Sequence, residues 1–256
     1  LHLNDRVNSI DVDAKTVRTQ SGTIYGYDEL VLATGSNAFT PPINGWDTKG
    51  VFVYRTVDDV DGMSETVEAL KNDANRTGKA IVLGGGLLGL EAAGGLAAEG
   101  YEVHLVELAG WLMPAQLDEG GGNLLNRLIE QRGIQLHTGV SLEQVLPRIE
   151  KRRGNESDEA AINANATNVA GVALSDGSKL EADLVCLAVG IRPRDELGKV
   201  NGFEMGPRGG IMVGQDCKTS HPNVWAIGEV AAMEGRCIGL VAPANTMAEV
   251  VVDRLL

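Results

Sequence analysis

The chain has 256 residues, of which 43% are hydrophobic and 22% charged, enough for one large or two modest domains with real cores. Its net charge of −13 repels phosphate backbones and argues against nucleic acid as a partner. No run of 18 apolar residues occurs, so no membrane span is expected, and Leu1-His2-Leu3-Asn4-Asp5 lacks the basic and apolar stretches of a signal peptide. The three cysteines, Cys186, Cys217 and Cys237, are widely spaced without a Cys-x-x-Cys, which excludes a redox disulfide of that type. Cys186 lies in an apolar run and reads as a small buried hydrophobe; Cys217 and Cys237 read as structural thiols or redox sensors. An odd cysteine count suits a reducing cytoplasm.

In chain order, Val7 to Thr19 alternates weakly and predicts short antiparallel strands, punctuated by Gly22 and Gly26, that lead into a buried strand over Glu29 to Thr34. Pro41-Pro42 forces an extended connection. Thr56 to Lys71 has helical spacing, with Thr56 and Asp59 as a capping pair. Lys79 to Leu83 is a strand that runs through Gly84-Gly85-Gly86-Leu87-Leu88-Gly89 into a helix reaching Glu99 and ended by Gly100. Tyr101 to Glu107 is the next strand, Leu124 to Gln131 a helix and Ile134 to Thr138 a third strand. Alternating strands and helices imply a parallel sheet. The polar stretch 150–168 reads as a long solvated hairpin loop. Val169 to Leu174 and Lys179 to Leu180 form a hairpin around Ser175-Asp176-Gly177, followed by a buried strand at Leu184 to Val189 and shorter strands at Ile211 to Val213 and Val224 to Ile227. A last helix covers Ala244 to Leu256.

Gly84-x-Gly86-x-x-Gly89 is the pattern with most chemical content. Gly84 permits a sharp turn, Gly86 lets the backbone approach a pyrophosphate, and Gly89 lets the helix pack on the strand; the helix N-terminus presents N–H groups to the phosphates. Alone such a pattern is weak. Here it follows a strand, opens a helix and is followed by Glu107, 18 positions after Gly89, at the end of the next strand. A carboxylate there accepts hydrogen bonds from ribose hydroxyls and repels a 2′-phosphate, and Leu108 to Pro114 contains no arginine or lysine, so NADH is expected rather than NADPH. The other reading is a glycine-rich packing turn with a surface glutamate. Three further turns accompany it: Ala33-Thr34-Gly35-Ser36 closing the early strand, Gly190-Ile191-Arg192-Pro193-Arg194 leaving the buried strand, and Gly228-Glu229 after the Val224 strand. Each by itself is a tight turn.

In this order and spacing the four turns resemble the flavoprotein pyridine-nucleotide oxidoreductases. Nearer matches, including Val53-Tyr54-Arg55-Thr56, Leu112-Met113-Pro114, Arg208-Gly209-Gly210-Ile211 and Gly239-Leu240-Val241-Ala242-Pro243, look like the flavoprotein part of the assimilatory NAD(P)H nitrite reductase large subunit. Glu229 fits that branch, which often has glutamate where many relatives have aspartate. The resemblance implies an α/β fold: a Rossmann-like NAD-binding domain, with a parallel sheet plus a β-hairpin or meander, at 78–189. That domain is inserted into a partial FAD-binding domain formed by 1–77 and 190–256. It implies NAD(H) at Gly84, Gly85, Gly86, Leu87, Leu88, Gly89 and Glu107, and FAD flanked by Ala33, Thr34, Gly35, Gly190, Gly228 and Glu229. It places Glu91 near the nicotinamide as the catalytic candidate, although a first-turn glutamate is also what a helix dipole favours. Arg192 and Arg194 read as hinge salt-bridge formers or as cofactor contacts.

Hydride transfer from NADH to FAD is the implied chemistry, in the intact protein for nitrite reduction in nitrate assimilation. The rivals are a reductase serving ferredoxin or rubredoxin, and a non-catalytic NADH-binding module. The missing first GxGxxG, iron–sulfur and siroheme segments, and the start on leucine, lead to the expectation of a fragment whose FAD occupancy and turnover are in doubt. Its partners are then small dinucleotides and the remaining domains of the same polypeptide, with neither nucleic acid nor membrane, and a homodimer is left open. The four histidines (His2, His104, His137, His221) show no metal-ligand spacing, so no metal is expected. Trp46, Trp111 and Trp225 read as core or interface aromatics.

Overall fold

A computed structural model describes residues 1–71, 73, 76–148 and 168–256. These fall into two compact units, Ala38–Gly190 and the pair Leu1–Asn37 with Ile191–Leu256.

The Ala38–Gly190 unit is built on a five-stranded parallel sheet in the order Val51–Val53, Leu184–Leu187, Lys79–Leu83, Glu102–Glu107, Gln135–Thr138. The apolar run of Ala80 to Val82 is fully buried because both faces of the sheet are covered. Ala80, Val82, Val103, Leu105, Leu184 and Cys186 meet Ala92, Ala93 and Leu96 of the helix Leu87–Ala98 and Met63 and Val67 of the helix Val57–Leu70. Their alternates Ile81, Leu83, Val106, Val185 and Leu187 pack on Leu142, Val145, Val169, Val172 and Leu174. These last belong to an antiparallel sheet of Leu142–Pro147, Val169–Leu174 and Lys179–Glu181. Thr56 caps its helix in the expected capping box, its hydroxyl accepting from the Asp59 N–H while the Asp59 carboxylate accepts from the Thr56 N–H.

The first boundary read from the sequence moves. Residues 38–77 pack with the 38–190 unit and not with the flanking segments, because Val51–Val53 pairs with Leu184–Leu187 and Met63 and Val67 enter its core. The strand Leu142–Pro147 was not expected; its inward Leu142 and Val145 are too few to stand out. The helix expected from Leu124 begins at Glu119. Asp118 caps it by accepting from the Gly121 N–H at 2.8 Å, and Gly122 lies so close under the Trp111 ring that any Cβ would collide with it. Glycines there serve packing, which propensity alone cannot show. Most of the expected loop at 150–168 lies outside the described residues; Asn168 bridges to Lys49.

The other unit opens with the antiparallel meander Val7–Asp11, Thr16–Thr19, Ile24–Gly26. Leu30–Leu32 then pairs in parallel with Val224–Ala226. The strand at Leu30–Leu32 was expected to be buried; Leu32 is, but Val31 is 37% exposed, so only one face is covered. Ile211–Val213, Ala231–Met233 and Arg236–Cys237 form a three-stranded sheet. Ile10, Leu32, Ile211, Val224, Trp225, Val230, Met247 and Val251 share one core. The last helix starts at Val241, earlier than expected, because Pro243 sits in its first turn, where no N–H is needed. Trp225 is buried and Trp111 packs on Gly122, whereas Trp46 is 48% exposed and joins no core.

Asp183 ties the first unit together. Its buried carboxylate accepts from the Thr77 and Gly78 N–H groups at 3.0 and 2.8 Å and pairs with Arg148 at 3.3 Å. Asp183→Ala is expected to cost about 3 kcal/mol in a urea unfolding curve, since it strands two N–H donors and a guanidinium.

Candidate functional site

The glycine turn sits at the carboxyl end of the central strand Lys79–Leu83, where ligands of open α/β sheets bind. Gly84 has φ +107°, and a Cβ there would collide with the Ala188 carbonyl. The Gly84 carbonyl in turn presses on Gly89, where a side chain would overlap it. A Cβ on Gly85 would run into Leu112 and lie 3.1 Å from the Glu107 side chain. Gly86 is different: its φ of −84° is open to any residue and nothing lies within 4 Å of a Cβ built on it. Three glycines are therefore demanded by the protein's own packing, and the fourth faces free space. Gly86 is also the N-cap of the helix Leu87–Ala98 and among the described residues no side chain caps that end, so the first-turn N–H groups are left without an intrahelical partner. Leu87 and Leu88 on this turn are 54% and 40% exposed.

Glu107, half-buried at the end of its strand, accepts from the Gly85 N–H at 2.6 Å and from the Ala109 N–H at 2.7 Å. The sequence reading missed this bracing. Two of about four acceptor directions on the carboxylate are used, which leaves room for hydroxyl donors. Leu108 beside it is 72% exposed. Glu91 lies further along the helix with its side chain at the surface, accepting from the Tyr54 hydroxyl at 3.1 Å. No local pattern in the sequence marks Tyr54 as a partner of Glu91. Burial, followed by the neighbouring Glu91, raises its pKa above the usual phenol value, so it stays protonated at neutral pH.

In the other unit the fold joins two turns far apart in sequence. Thr34 donates its hydroxyl to the Arg194 carbonyl at 2.6 Å, and the Arg194 N–H donates to the Gly35 carbonyl at 2.8 Å. Ser36 donates to the Glu229 carboxylate at 2.8 Å. Gly228, φ +71°, opens the short turn that carries Glu229. Gly35 and Gly239 flank this carboxylate, so small residues lie on both sides of it. Ala33 is exposed at the end of the strand. A cleft of about 670 Å³ opens beside Thr34, walled by Arg6, Gln20, Arg194 and Val200. Gly190 is not grouped with these residues; it ends the other unit, with φ +102° and its carbonyl accepting the Phe39 N–H. The Arg194 guanidinium donates to the Asn37 amide oxygen, and the exposed Arg192 donates to the Ile191 carbonyl.

Burial pushes the Cys186 thiol up to about 12 and raises Cys217 and Cys237 as well, so none is a ready thiolate nucleophile. His104 Nδ1 and His137 Nε2 lie 3.0 Å apart, and burial lowers the pKa of both rings. Among the described residues no three His, Cys, Asp or Glu side chains could hold a metal ion.

The family model for pyridine nucleotide-disulphide oxidoreductases matches residues 1–249. The chain belongs to this family. Relatives within it include the nitrite reductase (NADH) large subunit of Escherichia coli K12, 40% identical over 99% of this chain and 27% of that protein. The nitrite reductase [NAD(P)H] of Bacillus subtilis is 38% identical over 100% of this chain and 28% of that protein. The chain thus spans about a quarter of the length of these relatives. Among solved members, a ferredoxin reductase from Rhodopseudomonas palustris superposes with TM-score 0.83 at 30% identity, covering 99% of this chain and 58% of that one. A water-forming NADH oxidase from Lactobacillus brevis, bound to NADH, gives 0.80 at 25% identity, covering 99% and 53%. These matches confirm the α/β oxidoreductase fold and the nitrite reductase resemblance read from the sequence.

The free space at Gly86 allows a test. Gly86→Val should cost no more than about 1 kcal/mol in a urea unfolding curve, the cost of a poorer N-cap residue, and, if a pyrophosphate approaches this backbone, weaken NADH binding by at least about tenfold in a fluorescence titration.

Proposed function

We propose that this chain is the NADH-binding portion and part of the FAD-binding portion of a flavin-dependent oxidoreductase, of the nitrite reductase large-subunit type. The observation that carries this reading is the open face of Gly86 beside an uncapped helix end, with a braced carboxylate, Glu107, at the next strand end. A pyrophosphate fits the first and ribose hydroxyls the second. We assign the unit Ala38–Gly190 to NADH and the unit made of Leu1–Asn37 and Ile191–Leu256 to FAD. In the latter, Ala33, Thr34, Gly35, Gly228 and Glu229 would hold the flavin nucleotide, with the Glu229 carboxylate accepting from its hydroxyls; Gly190 sits at the junction in sequence.

When both are bound, the two cofactors supply hydride transfer from the reduced nicotinamide to the flavin. The chain's own residues then act by orientation and charge. Gly86 to Leu88 present N–H groups to phosphate, Glu107 selects the unphosphorylated ribose, and Leu87 and Leu88 offer an apolar surface. Glu91 is the residue assigned to the nicotinamide. In the whole protein the electrons would go on to reduce nitrite to ammonia in nitrate assimilation, supported by the identity of about 40% to nitrite reductases. The structural likeness to a ferredoxin reductase favours, as a second reading, delivery to a small redox protein. The free thiols suit the cytoplasm. No helix among the described residues is long and apolar enough to cross a membrane.

The choice of NADH has a specific support. An engineered NADPH-bound form of the Lactobacillus oxidase carries substitutions at a glycine, at an aspartate 18 positions later that becomes alanine, at the next two residues and at a proline five further on, with two arginines introduced. Gly89, Glu107, Leu108, Ala109 and Pro114 have the same spacing here. Combining Glu107→Ala with Leu108→Arg should weaken NADH binding about tenfold and strengthen NADPH binding by calorimetry, since a charge that repels a 2′-phosphate is replaced by one that attracts it. An unchanged preference would contradict the assignment.

A further inference from the structure

Glu91 stands on the exposed face of a helix, where a glutamate side chain loses rotamer freedom only if something holds it. Tyr54 is placed to hold it. Its ring packs partly buried against the core that contains Met63, Val82 and Ala92. Its backbone is fixed between the strand Val51–Val53 and the helix capped at Thr56, where both the Arg55 and Thr56 N–H groups donate to Asp59. From this anchored ring the hydroxyl reaches Glu91 Oε1 at 3.1 Å. A phenol needing only a partner for itself could turn to water at this half-exposed site. Here it spends its proton on a surface carboxylate beside the exposed Leu87 and Leu88.

We infer that Tyr54 is a positioning residue: it immobilises Oε1 of Glu91 so that Oε2 is left as the acceptor for the carboxamide of a bound nicotinamide. This rests on the assignment of Glu91 to the nicotinamide. With the hydroxyl absent, the carboxylate keeps its charge but loses its orientation, and only the nicotinamide end of the ligand is affected.

The test measures dissociation constants of the chain for NADH and for ADP-ribose, which lacks the nicotinamide, in Tyr54→Phe, Glu91→Ala and the double variant. Tyr54→Phe is expected to weaken NADH about threefold to tenfold and leave ADP-ribose unchanged. The double variant should be no weaker than Glu91→Ala alone, because both substitutions remove one unit. If Glu91→Ala weakens NADH but Tyr54→Phe does not, the positioning role is overturned while the reading of Glu91 stands. If Glu91→Ala leaves NADH unchanged, the reading of Glu91 itself fails, and Tyr54 with it. Equal weakening of NADH and ADP-ribose by Tyr54→Phe would show a general structural role and overturn the proposal. Retained ADP-ribose binding also shows that each variant is folded.

Discussion

Three backbone segments meet without side chains between them at the end of the central strand, and the rest of the proposed nucleotide site depends on that contact. The Ala188 carbonyl excludes a side chain from Gly84, and the Gly84 carbonyl excludes one from Gly89. The strand can therefore turn within a few residues and the helix Leu87–Ala98 can start close against the sheet, with its N-terminus at the surface. Glu107 completes the arrangement by holding the Gly85 N–H from the neighbouring strand. The carboxylate proposed to select the ligand thus also braces the loop proposed to cradle it. Preorganisation of this kind lowers the ordering cost of binding.

The second unit follows a looser version of the same logic. Two turns, one ending at Ser36 and one starting at Gly228, are too far apart in sequence to be related by any local pattern. The Ser36 hydroxyl joins them through Glu229, and the Arg194 backbone fastens Thr34 and Gly35. Glycines border the half-buried Glu229 carboxylate, which the Ser36 hydroxyl orients. An oriented acid bordered by glycines suits the proposed recognition of hydroxyl groups.

The parallel sheet and its glycine turn were legible in the sequence because burial on both faces leaves continuous apolar strands and because glycine is the only residue that solves the close approaches at Gly84 and Gly89. The capping box at Thr56 was legible for the same local reason. What escaped was set by distant partners. The helix at Glu119 begins in a glycine run whose purpose is to lie under Trp111. The segment 38–77, which the resemblance assigns to the FAD-binding domain, groups with the other unit because Val51–Val53 pairs with Leu184–Leu187 across more than a hundred residues. The bracing of Gly85 by Glu107, the pairing of Ser36 with Glu229 and the Tyr54–Glu91 bond all join residues that no periodicity relates.

A dinucleotide is proposed to bind on the Gly84–Gly89 turn and to be read by Glu107. Hydrogen exchange of the chain with and without NADH tests it most directly. Slowed exchange is expected at the amides of residues 85–89 and 107–109, with the meander at Val7–Gly26 unchanged. Protection elsewhere, with the glycine turn exchanging at its unliganded rate, would contradict the account.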